Sequence, residues 1–332
     1  MHSANNTITK SEIIHILSSN SNELFETANK IKTENKGSFI HLRALLEFTN
    51  VCKCNCLYCG LRAENNEVAR YRLTEKEIIE SAEKAKLLGF KTIVLQGGED
   101  KFYSIDKLCE IIKRIKEFDI AVTLSIGEKS YEEYKALKEA GADRYLLRIE
   151  TTDENLYKQL HPNMSHKNRF QCLENLKSLG FETGTGSLVG LPNQTIESLA
   201  DDILFFKELN ADMIGIGPFI PHQNTPLKNE SKNNFDLSLR VMALTRLMLP
   251  DINIPATTAM ETLKENGQII ALNSGANVVM LNVTETTYKE KYEIYPNKYG
   301  SRCEVETSIN ELKTKLNNLG IEISNSKGFR KD

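Results

Sequence analysis

Four of the seven cysteines lie within one eight-residue segment, from position 52 to position 59. Among them, Cys52, Cys56 and Cys59 have the spacing C-x3-C-x2-C. Three thiolates in one tight loop can ligate three irons of a 4Fe–4S cluster. Proteins whose clusters only carry electrons usually supply four cysteines, so a set of three leaves the fourth iron with an open position, as a catalytic zinc has. The spacing therefore predicts a cluster that also binds a small molecule.

The open iron of such a cluster can chelate the amino and carboxylate groups of S-adenosylmethionine (SAM). An electron passed through the cluster into the sulfonium then breaks a C–S bond, which releases methionine and a 5′-deoxyadenosyl radical. This is chemistry that a cofactor supplies and side chains do not. We therefore predict a SAM-cleaving radical enzyme with one 4Fe–4S cluster on Cys52, Cys56 and Cys59.

Two other uses of these cysteines compete with this prediction. A zinc site could use all four, but the intervals between them are shorter than those of the usual paired zinc knuckles. Alternatively, Cys54 could be the fourth cluster ligand and close the site. Because Cys54 lies only two residues from both Cys52 and Cys56, we expect its side chain to point away from the cluster.

Short strand-like runs alternate with longer helix-like runs along the chain, which is typical of α/β proteins. Helix-start signals lie between the strands, because Thr74 with Glu77 and Ser130 with Glu133 each form a capping-box pattern. This rhythm predicts a (β/α)8 barrel of the TIM type, whose active site lies at the carboxyl ends of the strands. An open doubly wound sheet is the alternative. The strands are expected at 44–49, 92–96, 121–125, 144–149, 182–189, 213–217, 254–258 and 276–280.

Flanking segments and composition complete the outline. We expect residues 1–35 to form a short N-terminal helical extension, 36–305 the barrel, and 306–332 a C-terminal helix and polar tail, frayed from 324.

The 40% hydrophobic content can bury a large core, and the net charge of -3, with acids and bases interleaved, argues against nucleic acid as a partner. No apolar run approaches the roughly 20 residues that span a bilayer, and the first residues lack a signal pattern. We expect a cytoplasmic protein with no membrane partner.

Small and polar residues follow the second and third predicted strands. Gln96, Gly97 and Gly98 end the second strand, where the glycines form either a plain turn or a close backbone approach to the amino group of SAM. Thr123 and Ser125 alternate with apolar residues, so both hydroxyls point to one side of the third strand and could line the lumen of a barrel. Thr123 could also reflect β propensity alone.

Charged residues end the fourth strand. Arg148 and Glu150 are unusual as core residues, and a carboxylate here can accept hydrogen bonds from ribose hydroxyls or an amine. Arg169 suits a bidentate grip on the methionine carboxylate, or else forms an ordinary surface salt bridge. His222, after the sixth strand, is either a ligand or acid, or a structural loop residue. The residues that end the last two strands and should line a deeper cavity are Thr257, Thr258 and Met280.

The cysteine spacing, the aromatic Tyr58 before the last cysteine and the Gly-Gly-Glu motif at 97–99 together resemble the radical SAM superfamily. A closer resemblance, to the HydE family of FeFe-hydrogenase maturases, is carried by the segments 56–62, 71–74, 92–100, 142–148, 189–192, 215–222 and 254–260. By analogy with the family, the cofactor-binding residues are Tyr58, Gln96, Gly97, Gly98, Thr123, Ser125, Glu150, Arg169, Met213 and Pro218. The analogous substrate cavity is lined by Arg144, Arg148, Thr257, Thr258, Met280 and Tyr295.

The resemblance implies a role in assembling the organometallic diiron part of the H-cluster of FeFe hydrogenase. The substrate would be a small organometallic iron species derived from cysteine, the reductant a ferredoxin or flavodoxin, and the partners the sister hydrogenase maturases. Two departures from the family matter. Only Cys303 stands where some relatives carry three cysteines, so we expect no second 4Fe–4S cluster. Ile149 replaces a histidine that some relatives have, which argues against an accessory iron at that position.

Three rival functions differ from this one in what they require. A radical SAM mutase of the methylornithine synthase type shares the layout, although the run Gly-Pro-Phe-Ile-Pro-His at 217–222 points away from it. A sulfur-insertion enzyme of the biotin synthase type would need ligands for a second cluster inside the barrel, and only Cys109 and Cys172, both on predicted outer helices, are available. An iron–sulfur cluster scaffold would need no SAM pocket, so formation of SAM cleavage products distinguishes it from the enzymes.

Overall fold

The structure is a computed structural model that describes residues 8–19, 22–230 and 234–331. The first seven residues of the predicted N-terminal extension and the last residue of the chain therefore lie outside the described residues. None of the described helices is long and apolar enough to span a membrane.

The described residues form nine strands and thirteen helices in an alternating order. The strands are β1 (His41–Thr49), β2 (Thr92–Gly97), β3 (Ala121–Ser125), β4 (Arg144–Leu146), β5 (Glu182–Thr185), β6 (Leu188–Val189), β7 (Met213–Ile214), β8 (Gly217–Pro218) and β9 (Val278–Asn282). The helices are α1 (Lys10–Ser18), α2 (Asn22–Lys36), α3 (Glu75–Leu87), α4 (Ile105–Lys116), α5 (Tyr131–Glu139), α6 (Glu154–Leu160), α7 (His166–Ser178), α8 (Ile196–Glu208), α9 (Phe235–Met248), α10 (Thr258–Leu263), α11 (Gly267–Leu272), α12 (Thr286–Lys289) and α13 (Val305–Asn317).

Seven strands form one parallel sheet in the order β7-β5-β4-β3-β2-β1-β9. The two edges of this sheet are joined by a short connecting segment, because Asn253 pairs with Met213 of β7 and Pro255 pairs with Val278 of β9. The ring of eight parallel segments is therefore closed, and the predicted (β/α)8 barrel is confirmed. Closure pairs both edges of the seven-stranded sheet with the connecting segment and places the ends of all eight segments around a common mouth.

The alternation of side chains along β1 shows how the barrel is filled. Ala44, Leu46 and Phe48 are buried in the hydrophobic core between the strands and the surrounding helices. Arg43 and Glu47 point the other way, into the barrel, where Arg43 contacts Met213. This division follows from the two-residue period of a strand.

The fifth and sixth strands were expected to be continuous, and that expectation is wrong. Each is broken after its first few residues, and the distal parts, β6 and β8, pair with each other in a separate two-stranded sheet. The break coincides with Gly186, where a Cβ atom would lie 2.0 Å from the carbonyl oxygen of Gly215. The two backbones are in such close contact that the chains bend apart at this level instead of continuing the main ladder.

The predicted seventh strand, at 254–258, is reduced to the two isolated pairings at Asn253 and Pro255, and helix α10 begins at Thr258. Proline has no N–H to donate to a ladder, so a regular strand cannot continue through Pro255. The predicted capping boxes are confirmed, because Thr74 and Glu77 cap α3 and Ser130 and Glu133 cap α5 reciprocally.

The N-terminal helices lie outside the barrel, with α1 packed on α8 and α2 packed on α9. Thr9 caps α1 through a capping box with Glu12. The described part of the predicted extension is thus a helical pair that covers two barrel helices.

The tail after α13 closes the amino-terminal end of the barrel, so the expectation that it frays is wrong for the described residues. Ile323 pairs with Ile40 just before β1. The carbonyl oxygen of Lys327 accepts hydrogen bonds from Thr92 and Arg144, at 2.8 Å each. Strand side chains thus bind the tail backbone, which is why a polar sequence is ordered here.

Candidate active site

The cysteine loop follows β1 at the carboxyl end of the barrel and is tied to two distant segments. The N–H of Leu57 donates to the carbonyl oxygen of Leu160 at 2.9 Å, and the N–H of Gly60 donates to that of Ile294 at 3.0 Å. These hydrogen bonds place the loop between the end of α6 and the segment after α12.

The two glycines that end β2 allow the cysteine loop to approach this strand. A Cβ atom on Gly98 would lie 2.2 Å from the carbonyl oxygen of Val51 and 2.7 Å from the Cβ atom of Cys52. A Cβ atom on Gly97 would lie 2.8 Å from a methyl group of Thr49. Neither glycine has a positive φ. Close packing therefore explains both glycines: Gly98 packs against the cysteine loop, and Gly97 packs against the end of β1.

Backbone N–H groups point at two of the predicted ligand sulfurs. The Sγ of Cys52 accepts from the N–H groups of Cys54 and Glu99, and the Sγ of Cys59 accepts from the N–H of Leu61, each at 3.4 Å. Such bonds favour thiolates over thiols. Burial opposes them and raises the pKa of Cys59 to about 12. A cation bound at the loop would offset this burial cost, so the donor set fits an iron–sulfur cluster.

Cys54 lies against Cys52 instead of standing apart from it. The Cys54 thiol hydrogen-bonds to Cys52, which lowers the pKa of Cys52 to about 6 and raises the pKa of Cys54. Among the described residues, no three His, Cys, Asp or Glu side chains are placed to share one metal ion. A zinc ion would need its ligands to converge on one point, whereas three cysteines of a cubane each bind a different iron. That Cys54 is not an iron ligand stays a prediction.

A cavity of about 370 Å³ opens beside the cysteine loop, inside the carboxyl end of the barrel. Pockets of this size hold small molecules. Cys56 and Cys59 form part of its wall. The structure also brings ten predicted site residues to this wall: Tyr58, Gln96, Ser125, Arg148, Glu150, Pro218, Thr257, Thr258, Met280 and Tyr295.

Glu150 stands in the cavity wall with an unusual backbone. Its φ is +66°, in the left-handed region that non-glycine residues seldom adopt. Its N–H donates to the carbonyl oxygen of Gly186, and its own carbonyl oxygen accepts from the N–H of Leu188. Burial raises the pKa of Glu150, while Arg148, 3.0 Å from the carboxylate, and Arg169 lower it. The carboxylate is thus held in the wall by the surrounding backbone.

Two threonine hydroxyls near the cavity have unused hydrogen-bonding capacity. Thr257 Oγ1 is buried in the cavity wall, and Thr123 Oγ1 is buried beside β2 and β4; neither has a hydrogen-bond partner among the described residues. Buried polar groups normally have partners, so the unpaired hydroxyl of Thr257, in the cavity wall, is available to bind a ligand.

The segment 290–300, called here the covering segment, forms one wall of the cavity. It is fastened to the barrel by Lys298, whose Nζ lies 2.5 Å from the Oε1 of Glu47 on β1. Asn282 donates to the other carboxylate oxygen of Glu47 at 2.7 Å. Both charged side chains are almost fully buried, so the pair fixes the covering segment at low dielectric.

Two family models match the chain. The radical SAM superfamily matches residues 46–206, and the biotin and thiamin synthesis associated domain matches residues 216–321. The chain is 54% identical over 275 residues to the FeFe hydrogenase maturase subunit HydE of Thermotoga maritima, an alignment that covers 83% of this chain and 79% of that protein. The chain belongs to the radical SAM superfamily and, within it, to the HydE-like proteins. It is therefore a radical SAM enzyme.

More distant relatives share the architecture of this HydE-like chain. The 3-methylornithine synthase of Methanosarcina acetivorans is 29% identical over 303 residues, which cover 90% of this chain and 85% of that protein. The crystal structure of methylornithine synthase (PylB) superposes with a TM-score of 0.84 at 26% identity, and the match covers 96% of this chain and 95% of that one. Membership of the superfamily implies a 4Fe–4S cluster and SAM.

Several predicted site residues of the HydE-like chain lie away from the cavity wall. The prediction that Arg144 lines the substrate cavity is wrong. Arg144 is fully buried one layer below the cavity, at the start of β4, where it pairs with Glu182 at 2.6 Å and donates to the tail. Arg169 is buried beside the site, with its guanidinium bonded to Glu128 at 2.7 Å and to the carbonyl oxygen of Arg148 at 2.5 Å. The other predicted residues outside the described wall are Cys52, Gly97, Gly98, Thr123 and Met213.

Sequence reasoning missed Glu47, Asn282 and Lys298, although all three line the cavity. A signal for Glu47 existed, because a carboxylate interrupts the otherwise apolar end of β1, and buried charges are rare unless paired or functional. Nothing local marks Lys298, whose partner lies 251 positions earlier. The predicted outer-helix positions of Cys109 on α4 and Cys172 on α7 are as expected.

Proposed function

We propose that this enzyme reductively cleaves SAM and uses the resulting radical in assembling the organometallic diiron part of the H-cluster of FeFe hydrogenase. The observation that carries the proposal is the 54% identity, over most of both chains, to a protein named as a hydrogenase maturase subunit. The barrel with a cysteine loop beside a cavity of about 370 Å³ supports the same assignment.

Cys52, Cys56 and Cys59 would hold the cluster. When bound, the cluster and SAM together supply a 5′-deoxyadenosyl radical. The chain's own contribution is to hold the loop: Gly98 allows it to pack against β2, and N–H groups aimed at the sulfurs favour the charged ligands.

The polar part of the wall near Cys56 and Cys59 would orient SAM. Gln96, Ser125 and Glu150 offer an amide, a hydroxyl and a carboxylate on neighbouring strands. These groups match the amine and ribose hydroxyls of SAM in hydrogen-bonding character. Arg169 would bind the methionine carboxylate only by exchanging its present hydrogen bonds, and Met213 and Thr123 would act from the layer below.

The other side of the cavity would bind the substrate. Arg148 supplies a cation, and Thr257 and Thr258 supply hydroxyls, so this wall suits a small anionic species such as an iron compound derived from cysteine. Tyr295 and Lys298, on the covering segment, form part of the cavity wall and would shield that side from water. Exclusion of water protects reactive intermediates from side reactions.

The same proposal extends to partners and location. A low-potential ferredoxin or flavodoxin would supply the electron, and the sister hydrogenase maturases would deliver the substrate and receive the product. Enzymes of this chemistry act in a reducing compartment, so we propose the cytoplasm.

Anaerobic reconstitution followed by reduction tests the enzymatic step. Protein supplied with SAM should yield methionine and 5′-deoxyadenosine in equal amounts, measured by liquid chromatography. Cys56→Ser should lose the iron and both products, whereas Cys172→Ser, on an outer helix, is the matched control and should retain them. Cys54→Ser should also retain them. Loss of iron in Cys54→Ser would show that Cys54 is a fourth ligand and would contradict the prediction that one iron has an open position.

Complementation tests the maturase role. Deletion of the gene should leave the host hydrogenase inactive, and the intact gene should restore activity. The hydrogenase could stay active after deletion even though SAM cleavage by this enzyme is shown to be lost from the strain. That outcome would overturn the maturase role and leave the radical chemistry intact.

A mutase of the methylornithine synthase type is the second candidate, because a 3-methylornithine synthase is 29% identical over 303 residues and the solved structure of PylB superposes along nearly the whole chain. The lower identity makes it the weaker proposal. Incubation with lysine and SAM, with mass-spectrometric search for an isomer of lysine, distinguishes the two. A sulfur-insertion role has less support, since Cys56 and Cys59, both predicted cluster ligands, are the cysteines on the described cavity wall.

A further inference from the structure

A short turn after α6 lies against the cysteine loop. This segment, residues 160–164, is called here the buttress turn. The carbonyl oxygen of Leu160 accepts the N–H of Leu57 at 2.9 Å, and the Sδ of Met164 lies 4.0 Å from the Sγ of Cys56. Cys56 and Leu57, two successive residues of the loop, therefore both contact this turn. A side chain of the turn also contacts the next residue of the loop, Tyr58.

That side chain belongs to His161, which is 1% exposed. Its Nε2 lies 2.9 Å from the hydroxyl of Tyr58, and its Nδ1 lies 2.9 Å from the carbonyl oxygen of Tyr157. The imidazole stacks on the Tyr157 ring at a centroid distance of 4.1 Å and meets the Tyr58 ring edge-on at 5.4 Å. Tyr157 thus holds the imidazole of His161, and His161 in turn holds the side chain of Tyr58.

The hydrogen bonds of His161 define its tautomer. A carbonyl oxygen only accepts, so Nδ1 carries the hydrogen and donates to Tyr157. Burial, and then Arg169, lower the pKa of His161 to about 3, so the ring is neutral and Nε2 is an acceptor. The Tyr58 hydroxyl therefore donates to Nε2.

Tyr58 connects this arrangement to the cavity. Its side chain lines the wall beside Cys56, Cys59 and Pro218, and it packs against a small apolar cluster separate from the main core. The members of that cluster are Leu156, Leu160, Leu191 and Phe219. The orientation of the Tyr58 ring therefore affects both the cysteine loop and the space available to SAM.

We propose that His161 is a positioning residue, which holds Tyr58 and through it fixes the second half of the cysteine loop and the wall of the SAM pocket. Without His161, the Tyr58 hydroxyl would be left buried and unpaired, so the ring would turn toward water and the loop would loosen. The role rests on superfamily membership and not on the identity of the substrate, so failure of the maturase role would leave it standing.

A double-mutant cycle on the reconstituted full-length enzyme tests the proposal. His161→Ala, Tyr58→Phe and the double variant are compared for hydrogen exchange of residues 52–62 and for SAM affinity, measured anaerobically by calorimetry. His161→Gln keeps an acceptor near the position of Nε2 and tests rescue. His166→Ala is the matched control, since His166 also contacts the Tyr157 ring but does not bond to Tyr58.

Loss of one hydrogen bond corresponds to about a fivefold effect. We expect His161→Ala and Tyr58→Phe each to speed exchange in 52–62 and to weaken SAM binding about fivefold, with no further loss in the double variant. His161→Gln and His166→Ala should stay close to the parent. Additive losses, or His161→Ala with unchanged exchange and unchanged SAM affinity, would overturn the proposal. If His161→Ala does not fold, Tyr58→Phe and His161→Gln still test the proposal. SAM affinity that falls equally in these two variants would refute it, because His161→Gln retains the acceptor.

Discussion

Asp202 offers a sharp test of how burial controls the stability of the site. It lies on α8 and is fully buried, and its Oδ1 accepts hydrogen bonds from the N–H and the hydroxyl of Thr152, both at 2.7 Å. Thr152 follows Glu150 by two residues, so Asp202 anchors the backbone that carries the cavity carboxylate. Burial raises the pKa of Asp202 to about 7, against its hydrogen bonds to Thr152, which lower it.

The direction of the pH effect follows from proton binding. The unfolded carboxyl group loses its proton near pH 3.8 and the folded one near pH 7, so between these values the folded protein binds more protons. The free energy of unfolding therefore falls as the pH rises through this window. The shift corresponds to about 4 kcal/mol in total, of which about 2.5 kcal/mol is lost between pH 5 and pH 8.

Asp202→Asn removes this titration but keeps an oxygen that can accept from Thr152. We expect the stability of the parent, relative to Asp202→Asn, to fall by about 2.5 kcal/mol from pH 5 to pH 8. The chain has no tryptophan, so urea unfolding is followed by circular dichroism. Asp201→Asn, at an exposed neighbouring position, is the control and should show no such trend. A parent-minus-variant difference that stays constant over this pH range would refute the reasoning.

Three further substitutions test other contacts. Gly98→Ala should prevent iron loading, because its Cβ atom would lie 2.2 Å from the carbonyl oxygen of Val51. Gly215→Ala is the control and should load iron normally, because the atom nearest to its Cβ would be 3.9 Å away. Equal iron content in the two variants would contradict the packing argument. Arg144→Met should lower the free energy of unfolding by about 3 kcal/mol, because the half-buried Glu182 carboxylate loses its guanidinium partner, and it should not weaken SAM binding. Weaker SAM binding by the folded variant would show that Arg144 does act on the cavity. Lys298→Met should make the covering segment cleavable by limited proteolysis, and unchanged resistance would show that the ion pair does not fasten it.

The barrel and the position of the cavity could be predicted from the sequence because both depend on local patterns. The alternation of strands and helices is visible in each segment, and active sites of barrels lie at the carboxyl ends of strands. Capping boxes such as Thr74 with Glu77 are complete within four residues. No distant contact is needed to recognise them.

Features that depend on distant partners were predicted less well. The family resemblance placed Arg144 in the substrate cavity. Arg144 does lie inside the barrel, on the same face of β4 as Leu146, but side-chain alternation specifies a face and not a height along the axis. Arg144 lies one layer below the cavity for that reason. The break at Gly186 likewise depends on Gly215, which only folding brings near. The glycine was visible in the sequence and its neighbour was not.

The closed base of the barrel has a consequence for how the protein is made. Arg43 donates to the carbonyl oxygen of Gly328, 285 positions later, so this contact of the first strand cannot form until residue 328 has been synthesised. Contacts of such long sequence separation form slowly. Until the segment around residue 328 is in place, Arg43 and Arg144, which donate to its backbone, lack these partners at one end of the barrel. A chain truncated before this segment would leave both cations exposed, where quality-control proteases could recognise them.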